Sequence, residues 1–191
     1  MRPLTFNKKK ALADVTQLFW LQGYEGTSVQ QILDCMGVSR SSMYSVFGDK
    51  RSLFLQSLAQ FSELSRVACT PLLQIEEPKL AVVQFYNLVF FSLKDEQRRR
   101  GCLLVNTVLE QSGLDEGLAG FAAEKLSEVE ESFKHCFDWA QANGKISKNA
   151  DSSALAAFFM TLTKGLRVSA REGAEEAEMR RVINLSLSVI N

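Results

Sequence analysis

Residues 28–50, SVQQILDCMGVSRSSMYSVFGDK, restrict the possible folds of this chain more than any other stretch, because they set two short helical patterns around one glycine. With Gly37 as the turn, Ile32, Met36, Val38, Met43 and Val46 fall where two steeply crossing helices share a core. Ser28 and Ser39 stand where N-caps are needed, since their side-chain oxygens can accept the free amides of a first turn. The pattern predicts a helix-turn-helix. Its second helix carries Arg40, Ser41, Ser42, Tyr44 and Ser45 opposite Met43 and Val46. Short hydroxyls let a backbone approach base edges, an arginine can bond guanine or phosphate, and a phenol can reach a phosphate. Thr27, Ser28 and Ser39 mark helix starts, and Lys50 opens the next helix, where amides and a positive dipole end suit a phosphate. For each serine, plain capping or solvation is the competing reading. Lys8 to Lys10 read either as a DNA-facing arm or as a solvated helix start.

Charge supports a nucleic-acid partner for this end alone. The chain has 22 basic and 22 acidic residues, but residues 1–60 hold seven of the basic ones, Arg2 among them, against four acidic. A basic head on an acidic body is the footprint of a protein whose head alone meets phosphates.

The rest of the chain predicts an all-α fold. The three prolines, Pro3, Pro71 and Pro78, leave the periodic segments intact. A first helix, 8–22, turns Ala11, Val15, Leu18, Phe19 and Leu21 to one side, and a connecting helix, 50–68, follows the reading unit. The composition divides the chain into a three-helix head (1–50), a connecting helix and linker (51–77), and an antiparallel helical body (78–191). Within the body, helices are expected over 80–93, 101–110, 118–142, 151–171 and 174–190, with a charged loop at 94–100. The last two carry Leu155, Phe158, Phe159, Leu162 and Leu166, then Val182, Ile183 and Leu187, at spacings of three and four. These stripes predict a four-helix homodimer contact, with an intramolecular core as the alternative.

Residues 6–55 resemble the TetR (tetracycline-repressor) family of bacterial regulators. The resemblance rests on the helix from Lys8 to Leu21, the link Gly23-Tyr24-Glu25-Gly26-Thr27-Ser28, and Gly37-Val38-Ser39-Arg40 through Met43-Tyr44 to Phe47-Gly48-Asp49-Lys50. Leu33 replaces the family's usual alanine, and Ser41 stands where glycine or proline is frequent. The resemblance implies phosphate contacts at Tyr44 and Lys50, a near-palindromic double-stranded operator, and a body cavity whose small-molecule effector releases the DNA. Candidates for that cavity are Phe85, Val89, Asn106, Phe133, Trp139 and Thr163, a few polar groups among apolar ones, with plain core packing as the competing reading for the aromatic rings. The segment Gly101-Cys102-Leu103-Leu104 through Asn106 to Glu110 further resembles a sub-group in which some members sense oxidants or electrophiles. Cys102 follows three arginines and opens a helix, which favours a thiolate; the alternative is a buried packing cysteine.

Other function classes find little support. One histidine, no GxSxG and no Gly-rich phosphate loop argue against an enzyme. Four scattered cysteines without a CxxC pair predict neither disulfides nor a metal, and no cofactor is expected. The absence of a long apolar run predicts a soluble, cytoplasmic protein with no membrane partner. A helical scaffold that binds protein instead of DNA is the remaining alternative, and salt-dependent binding to duplex DNA separates the two.

Overall fold

Capping side chains set the first four helices, α1 (Lys8–Gln22), α2 (Val29–Met36), α3 (Arg40–Phe47) and α4 (Lys50–Ala68). The structure, a computed structural model, describes residues 7–191; Arg2 lies outside them. Asn7 accepts the Lys10 amide ahead of α1. At α2 the Ser28 hydroxyl accepts the Gln31 amide at 3.2 Å while the Gln31 side chain accepts the Ser28 amide at 2.8 Å, a reciprocal capping box. Gly37, at φ 64°, ends α2, and the Val38 amide turns back to the Leu33 carbonyl at 3.2 Å. Ser39 then caps α3 through the Ser42 amide, and Asp49 caps α4 through the Ser52 amide at 2.7 Å.

The chain divides into two packed units. One comprises the chain up to Glu63 together with Cys102–Ala123, the other Leu64–Gly101 with Glu124–Asn191. This division by packing differs from the division by chain order, because α8 (Leu103–Gln111) and the first turns of α9 (Glu116–Ala142) belong with the head. In the head unit Val15, Phe19, Ile32, Met43, Leu53, Phe54 and Leu58 are fully buried. Phe19 and Phe54 meet edge to face at 4.8 Å, and Trp20 meets Phe61 at 5.1 Å. Trp20 is buried where the pattern predicts Leu21; Leu21 is 54% exposed. The buried Thr16 hydroxyl donates to the Leu12 carbonyl and lies 2.9 Å from the Gln60 side-chain oxygen, so its burial leaves no hydroxyl unsatisfied.

The second unit contains α5 (Thr70–Gln74), α6 (Pro78–Tyr86), α7 (Asp95–Arg98), α10 (Ser152–Glu172), α11 (Glu176–Ser186) and the larger part of α9. Several boundaries depart from expectation. The linker 70–78 holds α5, because a proline fits the first turn of a helix, where its missing amide costs nothing. The loop at 94–100 holds the single turn α7, and α8 starts at Leu103. Beyond α6 the backbone widens into a π-turn, Asn87–Phe91, in which the Ser92 amide reaches the Asn87 carbonyl five residues back. The last helix stops at Ser186 and closes with a 3-10 turn, Leu187–Val189.

The core of this unit is aromatic. Phe133 meets Phe85 edge to face at 4.8 Å and stacks on Phe159 at 5.8 Å and on Phe137 at 6.4 Å. Phe159, Leu166 and Ile183, expected on a dimer surface, are 0%, 4% and 3% exposed and belong to this intramolecular core. A stripe with spacings of three and four marks one face of a helix but not which neighbour covers it, and here the fold itself covers these three.

Candidate nucleic-acid interface

Helix α3 turns Met43 and Phe47 inward and leaves Arg40, Ser41, Ser42, Tyr44 and Ser45 exposed. The Ser39 hydroxyl lies 3.0 Å from that of Ser41 and 2.9 Å from that of Ser42. The first turn of α3 thus presents a hydroxyl cluster beside Arg40, with donor and acceptor capacity that can be turned toward base edges. Tyr44 is 45% exposed, so its hydroxyl can extend past the helix.

Around α3 two lysines are steered by aromatic rings. The Lys50 ammonium lies 4.3 Å from the centre of the Tyr24 ring, and that of Lys8 lies 5.3 Å from the Phe47 ring. Each contact limits the sweep of a long side chain without neutralising it. Lys10 instead pairs with Asp14 at 2.5 Å, and the shared hydrogen bond raises the Lys10 pKa. Ser28 is exposed at the start of α2. Thr27 is a correction to the expected set: it is fully buried and its hydroxyl donates to the Gly23 carbonyl at 2.7 Å. A buried hydroxyl must find an internal partner, and this one serves the loop rather than a phosphate.

Three residues whose roles the sequence did not single out, Glu110, Asp115 and Arg51, hold this loop and the start of α4. The Glu110 carboxylate on α8 accepts the amides of Tyr24 and Glu25, at 3.0 and 2.9 Å. Asp115 receives the Arg51 guanidinium through two bonds, at 2.6 and 3.0 Å. The Arg51 bond and the Leu118 amide hold the Asp115 carboxyl down to about 2. These pairs span 64 to 86 positions, and no local pattern announces them.

The expected cavity residues separate. Phe85, Phe133 and Thr163 come together, but they fill the second unit's core: the Thr163 hydroxyl bonds the Phe159 carbonyl at 2.7 Å and lies 3.3 Å from the Tyr86 hydroxyl. Val89 is buried and Trp139 half-buried, whereas Cys102, just ahead of α8, and Asn106 within it belong to the head unit. A cavity of about 230 Å³ does open in the second unit, lined by Leu72, Leu73, Gln74, Ile75, Glu76, His135, Cys136 and Trp139. Burial pushes the Cys136 thiol there up to about 11, so it is protonated at neutral pH. Cys102 is 5% exposed, and of the arginines before it Arg98 pairs with Asp95 and Glu176, and Arg100 with Glu96. Among the described residues no cluster of His, Cys, Asp and Glu offers a metal site, and no helix is long and apolar enough to cross a membrane.

Residues 11–56 match the profile of the bacterial regulatory proteins of the tetR family, and residues 81–185 match the tetracyclin repressor-like C-terminal domain. The chain belongs to the TetR family. It is a helix-turn-helix transcriptional regulator and not an enzyme. It is 28% identical over 190 residues to the HTH-type transcriptional regulator YezE of Bacillus subtilis, covering 97% of each chain. It is 24% identical over 188 residues to the HTH-type transcriptional repressor ComR of Escherichia coli, covering 97% of this chain and 90% of ComR. Among solved structures it resembles a cysteine mutant of the TetR family regulator CifR complexed with a 26-bp double-strand operator DNA, at a TM-score of 0.86 and 25% identity over 98% of both chains.

Proposed function

We propose that this regulator is a homodimeric repressor that binds a near-palindromic duplex operator through α3 and is released by a small apolar or amphipathic effector. The exposed polar face of α3 over buried Met43 and Phe47 carries this reading, because a face of short hydroxyls and one guanidinium suits the major groove. ComR being a repressor and CifR being bound to operator DNA support it. Tyr44 and Lys50 hold phosphates; Arg40, with Ser41, Ser42 and Ser45, reads bases. Lys50→Ala is then expected to weaken binding to every duplex and to flatten the salt dependence by about one unit of slope for each phosphate it leaves unneutralised. Arg40→Ala is expected to relax preference at one position of each half-site by about 1–3 kcal/mol. Gel shifts over a salt series with operator and random duplexes check both, and equal effects of the two variants on both duplexes would rule the division out.

Dimerisation uses the residues of the last two helices that remain exposed. Phe158 and Val168 on α10 and Val182 and Leu185 on α11 are 42%, 44%, 40% and 75% exposed, with Leu155, Leu162 and Leu187 half-buried. For the switch a non-covalent ligand is favoured over oxidation of Cys102, since that thiol is buried and two of the arginines before it face carboxylates.

A further inference from the structure

We propose that Glu110 and Asp115, at the corner between α8 and α9, are positioning residues for DNA binding that hold Tyr24 and, through it, Lys50 in place for a phosphate. This rests on the DNA-binding reading above. The corner takes hold of the head at two points. Glu110 accepts two successive backbone amides in the α1–α2 loop, those of Tyr24 and Glu25. Asp115 takes the guanidinium of Arg51, the residue after Lys50, through both of its oxygens. A carboxylate bonded to two amides and a fork-to-fork arginine pair are directional as well as attractive, so they fix positions more than they add stability.

The glycines beside the two grips have the same logic. A side chain at Gly23, which sits at φ 79°, would place its Cβ 2.9 Å from a Glu110 oxygen. One at Gly117 would come within 2.4 Å of the Arg51 guanidinium. Both glycines therefore leave room for the carboxylate and the guanidinium to close on their partners. Between the grips lies Tyr24, whose ring packs 4.9 Å from Phe54 and carries the Lys50 ammonium at 4.3 Å. The loop amides set the Tyr24 backbone, Arg51 sets the first turn of α4, and Lys50 is constrained from both sides. A shift of the end of α8 would then move a phosphate contact directly.

The test is a double-mutant cycle on the full-length protein, with a mixed-sequence duplex of about 30 base pairs, long enough for two half-sites. Glu110→Ala is expected to weaken binding roughly tenfold, as loss of charge-assisted bonds implies, and to flatten the salt slope as Lys50→Ala does. The double variant should bind no worse than either single one, since both remove the same phosphate bond. Hydrogen exchange at the Tyr24 and Glu25 amides should accelerate in Glu110→Ala while that at Phe133 and Phe159 stays slow. Should Glu110→Ala fail to fold, Glu110→Gln and Asp115→Asn serve in the same cycle with smaller losses. Losses that multiply in the double variant, or loop amides that exchange as in the wild type, overturn the positioning role alone. A wild-type protein without salt-dependent duplex binding overturns the DNA-binding reading and this role with it.

Discussion

Asp115 illustrates how a single carboxylate can tie pH to the integrity of the reading head. Its pKa falls from the ordinary 3.8 to about 2 because the Arg51 guanidinium and the Leu118 amide bond the ionised form. A depressed acid pKa contributes stability that is present above the unfolded value and lost as pH falls through the folded one. The melting temperature should therefore decline between about pH 4 and pH 2, and Asp115→Asn should decline less over that range. Parallel acid profiles for the two proteins would remove Asp115 from the account. The cysteines give a second contrast, since Cys35 is exposed and Cys102 is 5% exposed. In the folded protein a maleimide should label Cys35 and reach Cys102 only after denaturation, as mass spectrometry of the labelled peptides can establish. Prompt labelling of native Cys102, with loss of DNA binding that Cys102→Ser prevents, would restore the thiol as the sensor.

At the scale of the element, local chemistry explains why α1 to α4 are legible in the sequence and the body is less so. Ser28, Ser39 and Asp49 bond amides three residues ahead, a range that sequence spacing reports directly. Ser28→Ala should cost about 1 kcal/mol and fray α2 first, seen as faster amide exchange at Gln31 with little change in α10. Uniform loss of protection in both helices would contradict that local origin. The π-turn after α6 is not legible, because widening by one residue leaves the apolar pattern of 80–93 almost intact. The sequence marks Phe85 and Phe133 as candidates for a cavity wall, yet aromatic rings at helical spacing do not reveal whether they line a space or fill it. Their edge-to-face contact at 4.8 Å fills it. Glu110 and Arg51 escape a sequence reading for a different reason: both have partners far along the chain, and a charged residue on an amphipathic helix looks solvated until its partner is known.

At the scale of the whole molecule, the proposed dimer would bind its operator through two heads held at a fixed separation, and the surface that can hold them is narrower than the apolar stripes suggest. Phe159, Leu166 and Ile183 are consumed by the core, so charging them would unfold the protein and say nothing about assembly. Phe158 and Leu185 are the informative positions. At 42% and 75% exposure each can accept a charge with little effect on the isolated fold, whereas a charge buried against a partner without compensation is severely unfavourable. The variant carrying Phe158→Glu and Leu185→Glu should sediment as a monomer at micromolar concentration, where the wild type is expected to sediment as a dimer. Its helical circular dichroism should be unchanged. Because half-sites lie about one turn of duplex apart, roughly 34–36 Å, a monomer forfeits the second head and with it the linkage that makes two weak contacts act as one. Operator affinity should then fall by at least the roughly hundredfold that such linkage commonly supplies, while non-specific binding per head persists. A wild-type protein that is monomeric at micromolar concentration, or a monomeric variant that still binds a full operator tightly, would show that the exposed faces of α10 and α11 serve some other partner.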